Sequence, residues 1–237
     1  MSERIRKDSN DRKTVSGALD FSTAKTIYKL IERKEIDAIE GIIEEGKESI
    51  IILATKDGKK RLIKAYKINA SKFNNMKKYI IGDVRFRGVK NTKRAIVYAW
   101  CKKEFSNLAR AKKAGVTVPE PYAFLNNILV LEHIGTDDIA PPLNKAHIKD
   151  PKKVFDTIIK ETKKLYKDAG LIHADLSQFN ILMDDGKVVL IDFGQATLPT
   201  HPYADEILER DVRNVCNYFS KLGVRCDEKK VLEQIRG

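Results

Sequence analysis

The stretch that most constrains the fold is a polar loop, His173-Ala174-Asp175-Leu176-Ser177-Gln178-Phe179-Asn180, followed by two short apolar runs, Ile181 to Met183 and Val188 to Ile191, and closed by Asp192-Phe193-Gly194. The runs are rich in β-branched and long aliphatic residues, and Asp184-Asp185-Gly186 between them is a tight-turn signal, so a hairpin is expected with polar residues at both of its open ends. Transfer of a phosphoryl group needs phosphates held by a metal and a carboxylate beside the incoming nucleophile. Asp175 is the candidate for that carboxylate. Asn180 and Asp192 offer hard oxygen atoms suited to magnesium. Gly194 allows a sharp turn after the strand, and His173 braces the loop. Each fragment alone is weak, since a loop aspartate is more often a cap, but their order and spacing together are specific.

The first half carries the complementary charges. Alternation along Arg61 to Ile68 places Lys64 on one strand face with Leu62, Tyr66 and Ile68. Glu104 shares a helical stripe with Val97, Cys101 and Leu108 on an otherwise basic segment. Burying either charge alone is costly, so a Lys64–Glu104 pair facing ATP phosphates is the expectation. Gly41 to Ser49 superficially resembles a phosphate-binding loop that precedes a helix, but Glu48 follows Lys47 where Ser or Thr is required. A strand–turn–strand flap fits better, with Gly46 permitting close approach and Lys47 or Ser49 touching phosphate.

Around these sites the periodicity gives an order of elements. Thr23 to Glu40 reads as a leading helix with Ser22 as its N-cap. Ala38 to Ile68 reads as three antiparallel strands broken at Gly46-Lys47 and Asp57-Gly58, and Asn69 to Asn91 as a long connection. Lys93 to Ala114 is helical up to Gly115, and strands are expected around Tyr122 and over Ile128 to Glu132. Further helices are expected over residues 152–169 behind Pro151, over Ala204 to Leu222, and over Glu228 to Arg236. The expectation is an α+β, two-lobed, protein-kinase-like fold. Its parts are a charged segment and leading helix (1–37), an N-lobe with an antiparallel sheet (38–134), and a mainly helical C-lobe with a small hairpin (135–237).

Composition narrows the setting. Apolar runs fall far short of the ~20 residues of a membrane span, and the charged N-terminus lacks a secretory core, so the cytoplasm is the default. Three cysteines without paired spacing indicate neither a disulfide framework nor structural zinc. The net charge of +12 is concentrated: residues 59–113 hold 18 Lys and Arg against Asp83 and Glu104 alone. Such a field attracts phosphate-rich partners, although a solvated basic surface has the same composition.

Taken together these segments resemble the RIO family of atypical protein kinases, in its type-one branch, from Ile36 onward. The resemblance is carried by Glu45 to Ser49, Ile63 to Tyr66, Trp100 with Lys103-Glu104-Phe105, Pro119 to Pro121, Glu132 to Gly135, His173 to Ser177, and His201-Pro202 leading to Arg210 through Asn214. It implies ATP bound with magnesium or manganese, Ser/Thr autophosphorylation, and a role in maturing the small ribosomal subunit. It also implies adenine at the backbone of Glu132 and Ile134, and Asp192 as a transient phosphate acceptor. Two departures from ordinary protein kinases stand out. Ala174 replaces the arginine of His-Arg-Asp, and no Ala-Pro-Glu segment follows Gly194, which leaves little room for a phosphorylated lid.

Two other readings share these residues. A small-molecule phosphotransferase of the aminoglycoside or choline kinase type has a similar loop, but the chain is short for that class. An ATP-switched RNA or ribosome-assembly factor would use the basic stretch with Tyr66, Phe73, Tyr79, Phe86, Tyr98 and Trp100 as stacking candidates, Tyr98 and Trp100 reading better as core. Ser71 is the candidate autophosphorylation site. The oligomeric state is not legible.

Overall fold

The computed structural model describes residues 19–69, 73–81 and 83–237, and the chain divides into two compact units. The first comprises residues up to Lys78, Gly88–Lys102 and Pro121–Glu132; the second comprises Tyr79–Arg87, Lys103–Glu120 and His133–Gly237.

In the first unit, helix α1 (Phe21–Glu32) precedes a five-stranded sheet. Its strands are β1 (Ala38–Glu45), β2 (Ser49–Lys56), β3 (Lys59–Tyr66), β4 (Pro121–Leu125) and β5 (Ile128–Glu132), in the order β1-β2-β3-β5-β4. Every pairing is antiparallel. The β2–β3 turn, Asp57-Gly58, has φ of 49° and 73°. Two consecutive positive φ values match the right-handed twist of the flanking strands, so this sequence signal fixes the register of Ile52 opposite Ile63. Alternation then buries Ile50, Ile52, Ala54, Ile63 and Ala65 with Ile128 and Val130, against Ile27 and Leu30 of α1.

Two expectations change here. The first helix is capped by Asp20, whose carboxylate accepts from Thr23 N at 2.9 Å, rather than by Ser22. It stops at Glu32 instead of running to Glu40, because Lys34 turns left-handed (φ 58°) and Ala38 onward pairs with β2, where Ile39 and Ile42 pack against the sheet core. The stretch 69–91 is not a bare connection. It contains α2 (Phe73–Ile81), anchored by buried Met76 and Ile80 at i, i+4, and a 3₁₀ turn, Val84–Phe86, capped by Asp83. Ser71, the candidate phosphorylation site, and residues 1–18 of the N-terminal segment lie outside the described residues.

Helix α3 (Lys93–Lys113) contributes to both units. The second unit adds α4 (Pro151–Lys167), β6 (Ile181–Asp184), β7 (Lys187–Leu190), α5 (Ala204–Ser220) and α6 (Glu228–Arg236). Pro151 opens α4 behind Asp150, whose side chain accepts from Lys153 N, the arrangement in which proline's missing N–H costs nothing. The β6–β7 turn repeats the first, with Asp185 at φ 46° and Gly186 at 81°. Leu182 and Val189 pack with Ile134 and Ala140, and Phe155 of α4 meets Phe219 of α5 edge to face at 5.5 Å.

Candidate active site

An antiparallel hairpin closed by a two-residue turn brings together the residues just outside its open end. Here Ile181 pairs with Leu190, and Ile191 N donates to Asn180 O at 3.0 Å. Asn180 therefore stands opposite Ile191, the residue before Asp192, at one end of β6–β7, and the Asp185-Gly186 turn lies at the other. A surface cavity of about 510 Å³ lined by Pro141, His147, Met183 and Asp185 borders that turn and is not part of the site.

The loop before β6 folds onto the same end. Asn180 Nδ2 donates to the Asp175 carbonyl at 2.8 Å and to Asp175 Oδ2 at 3.3 Å. This turns the amide nitrogen toward Asp175 and leaves its oxygen as the atom for a cation. Gln195 Nε2 reaches the same Oδ2 at 2.9 Å. Asp175 is thus an oriented carboxylate whose Oδ2 is held by two amides. His173 Nε2 must carry a proton, because its partner at 2.9 Å is the Ile191 carbonyl, which can only accept. Its ring lies 4.8 Å from that of Phe193. Burial drives the His173 pKa down from 6.5 to about 4, with the Ile191 carbonyl and the Asp192 charge pulling it back only in part.

Two non-glycine residues of the site, Ala174 (φ 66°) and Asp192 (φ 63°), sit in the left-handed region. Such positions persist only where surrounding structure holds them. For Ala174 the holders come from α5. Asp211 accepts from Ala174 N at 2.7 Å and from Leu176 N at 3.0 Å. Arg210 donates to the Ala174 carbonyl, and Asn214 Nδ2 donates to Leu176 O at 3.2 Å. Burial lifts the Asp211 pKa to about 7, opposed by its two backbone donors and Arg210. For Asp192 the holders come from α3. Lys103 Nζ donates to Gly194 O at 2.9 Å and Ala196 O at 2.6 Å; Asn107 Nδ2 donates to Phe193 O at 2.9 Å and Ala196 O at 3.1 Å. Burial lowers the Lys103 pKa to about 7, with Asp83 opposing the fall.

The second unit therefore assembles Asp175, Asn180 and Asp192. Glu104, 1% exposed, lies on its part of α3, and Ile134 is buried near the start of its His133–Gly237 segment. The first unit holds the other expected residues. Lys64 is on β3 with its ammonium 5.2 Å from the centroid of the Tyr66 ring, Glu132 ends β5, and Ser49 starts β2. Gly46 donates its N–H to Ser49 O at 2.9 Å, and a Cβ there would stand 3.3 Å from that oxygen, while Lys47 at the turn is exposed. Tyr66 and Trp100, 2% and 5% exposed, are core, which removes Tyr66 from the stacking candidates.

The donor set suits magnesium brought in with phosphates. Among the described residues no three His, Cys, Asp or Glu side chains gather as a self-sufficient cage. One carboxylate (Asp192) and one amide oxygen (Asn180) match an ion that keeps waters and phosphate oxygens as its other ligands.

Sequence reasoning did not assign roles to Gln195, Asp211, Lys103 and Asn107. The run from Arg210 to Asn214 stood out as a motif, but its function depends on backbone groups 35 or more residues away. No helix among the described residues is long and apolar enough to cross a membrane.

Comparison with known proteins adds to this geometry. The family described as RIO domain matches residues 49–231. A RIO-type serine/threonine-protein kinase Rio1 from Haloferax volcanii is 40% identical over 98% of this chain and 80% of that protein. One from Methanocaldococcus jannaschii is 37% identical over 99% and 81% respectively. Among solved structures, the Rio2 kinase from Chaetomium thermophilum in its ADP/Mg2+-phosphoaspartate complex superposes with a TM-score of 0.68. That match has 24% identity and covers 88% of this chain and 65% of that one, so it bears on the fold.

Proposed function

Because the chain belongs to the RIO family of serine/threonine protein kinases and is similar to its Rio1 members, we propose that it binds ATP with magnesium and phosphorylates itself and a component of the pre-ribosomal small subunit. The observation that carries the reading is the convergence of Asp175, Asn180 and Asp192 at the open end of one hairpin. Magnesium, when bound with ATP, supplies charge neutralisation of the phosphates. Asp192 and the Asn180 amide oxygen would hold it. Asp175 Oδ atoms accept the proton of the attacking hydroxyl, with Gln195 and Asn180 fixing the carboxylate's direction. Lys64 is assigned to the phosphates with Glu104 as its counter-charge. Gly46, Lys47 and Ser49 are assigned to the flap, and the backbone of Glu132 and Ile134 to adenine.

Asp192 is also the nucleophile that fits a phosphoenzyme. Its carboxylate oxygen bonds to the γ-phosphorus as the bond to the β–γ bridging oxygen breaks and ADP leaves, and water then hydrolyses the acyl phosphate. A phosphoaspartate in the Chaetomium Rio2 kinase supports this reading. The basic excess over residues 59–113 supports a pre-ribosomal RNA or protein partner.

The test is turnover of labelled ATP by the wild type, Asp175→Asn and Asp192→Asn. Both variants are expected to lose at least about 100-fold, and wild-type turnover in both would sink the mechanism. Label released by hydroxylamine indicates acyl phosphate; stable label indicates Ser or Thr.

A further inference from the structure

We propose that Lys103, with Asn107 one helical turn further along α3, is a positioning residue for Asp192: the pair fixes the backbone that carries the metal-binding carboxylate. The proposal rests on the assignment of Asp192 as a magnesium ligand. Phe193, Gly194 and Ala196 all present their carbonyls to this one face of α3, and four hydrogen bonds of 2.6–3.1 Å hold them. Residues at i and i+4 share a helix face, so two donors can grip consecutive peptide planes.

Packing alone does not account for a lysine here. Lys103 is 1% exposed and Asn107 fully buried. Removing an ammonium from water costs several kcal/mol unless it is compensated, and a leucine would fill the space without that cost. What a leucine lacks is a donor for two carbonyls. Those carbonyls, of Gly194 and Ala196, lie within four residues after Asp192, whose left-handed φ has to be held from outside.

The orientation of Asn107 is itself specified. Arg85 Nη1 donates to Asn107 Oδ1 at 2.9 Å, and an arginine can only donate, so the amide nitrogen faces the carbonyls of Phe193 and Ala196. Asp83 in turn grips Arg85 through Nε and Nη2, at 2.6–3.2 Å. The turn at Asp83–Arg85 is therefore the outer support of the metal loop. Residues that orient a metal's ligands typically change affinity by about 10- to 100-fold when removed.

The experiment compares the wild type, Lys103→Met, Asn107→Leu, Arg85→Met and Asp192→Asn. Calorimetric titration with ADP, with and without Mg2+, measures the gain in affinity that magnesium provides. Hydrogen exchange of the Ala196 and Thr197 amides in the ligand-free proteins reports the loop itself. Lys103→Met and Asn107→Leu are expected to cut the magnesium-dependent gain about tenfold, leave ADP binding without metal unchanged, and speed exchange at Ala196. Arg85→Met, at the partly exposed end of the chain of contacts, is expected to do the same to a smaller extent, and it serves as the readout if either buried variant fails to fold. A wild-type magnesium gain in every folded clamp variant, with only stability reduced, overturns the clamp while leaving the metal assignment intact. A wild type without a magnesium gain, or Asp192→Asn that keeps it, overturns the metal assignment and the clamp with it.

Discussion

Replacing His173 by Gln should flatten one component of the protein's acid sensitivity by a defined amount. His173 is buried and neutral, its Nε2–H donated to Ile191 O, and its Nδ1 has no hydrogen-bond partner among the described residues. A second proton would charge a buried ring, and that desolvation outweighs the Ile191 carbonyl, the Asp192 charge and the residue's own backbone, which favour it. Its pKa therefore falls from 6.5 to about 4 on folding. Between these values the unfolded chain binds the proton and the folded chain does not, so stability is lost as pH falls from 6.5 toward 4. No more is lost from this group below that. At ~1.36 kcal/mol per pH unit the loss totals about 3 kcal/mol. Asp211 hides part of it. With its pKa raised from 3.8 to about 7, the folded state holds the extra proton across nearly the same window, and its contribution to stability grows as pH falls. The wild-type profile alone can thus look flat. The measurement is urea unfolding of the wild type and His173→Gln at several pH values from 7 to 4. The glutamine amide keeps a donor for Ile191 O but does not titrate. The difference in unfolding free energy, wild type minus variant, should fall by about 3 kcal/mol over that range. Parallel profiles would refute the assignment of a buried, neutral His173.

Two other perturbations follow from the geometry. Asp211→Ala leaves Ala174 N and Leu176 N buried without their acceptor, at about 1–3 kcal/mol each; unfolding should move to lower denaturant, and ATP turnover should fall more than nucleotide affinity, because Asp175 sits between the two released amides. Gly135→Ala adds a Cβ that overlaps the Asp138 carbonyl and lies 2.7 Å from Ala140 N, at a φ of 117° that side chains rarely adopt. It should cost at least about 2 kcal/mol, a fall in the thermal midpoint of roughly 4–8 °C, and an unchanged midpoint would remove the steric argument.

What could be read in the sequence and what could not divide along physical lines. The hairpins at Asp57-Gly58 and Asp185-Gly186 were legible because two positive φ values demand such residues locally. The second hairpin alone sets Asn180 opposite Ile191, the residue before Asp192. The stripe Val97, Cys101, Glu104, Leu108 was legible as a buried face, and it is one. Helix α2 was not, because its buried anchors among the described side chains, Met76 and Ile80, stand among lysines and asparagines. Lys103 and Asn107 were hidden for a different reason. Their partners are backbone carbonyls some 90 positions away, and a carbonyl has no letter in the sequence. Read along α3 alone, they pass for solvent-facing polar residues. The same holds for Asp211, whose partners are N–H groups.

Ala174 stands where ordinary protein kinases carry an arginine, and its side chain is completely buried while its carbonyl is gripped by Arg210 from α5. For anyone wishing to re-engineer this enzyme the consequence is a closed door. An arginine at 174 would have to displace the surroundings of a fully buried side chain at a φ of 66° that side chains rarely adopt, and the Arg210 guanidinium at this spot is committed to a main-chain contact. A phosphorylatable lid grafted after Gly194 would find no cation waiting for it at this position. A covalent switch laid across this loop would therefore need its cation brought from another position.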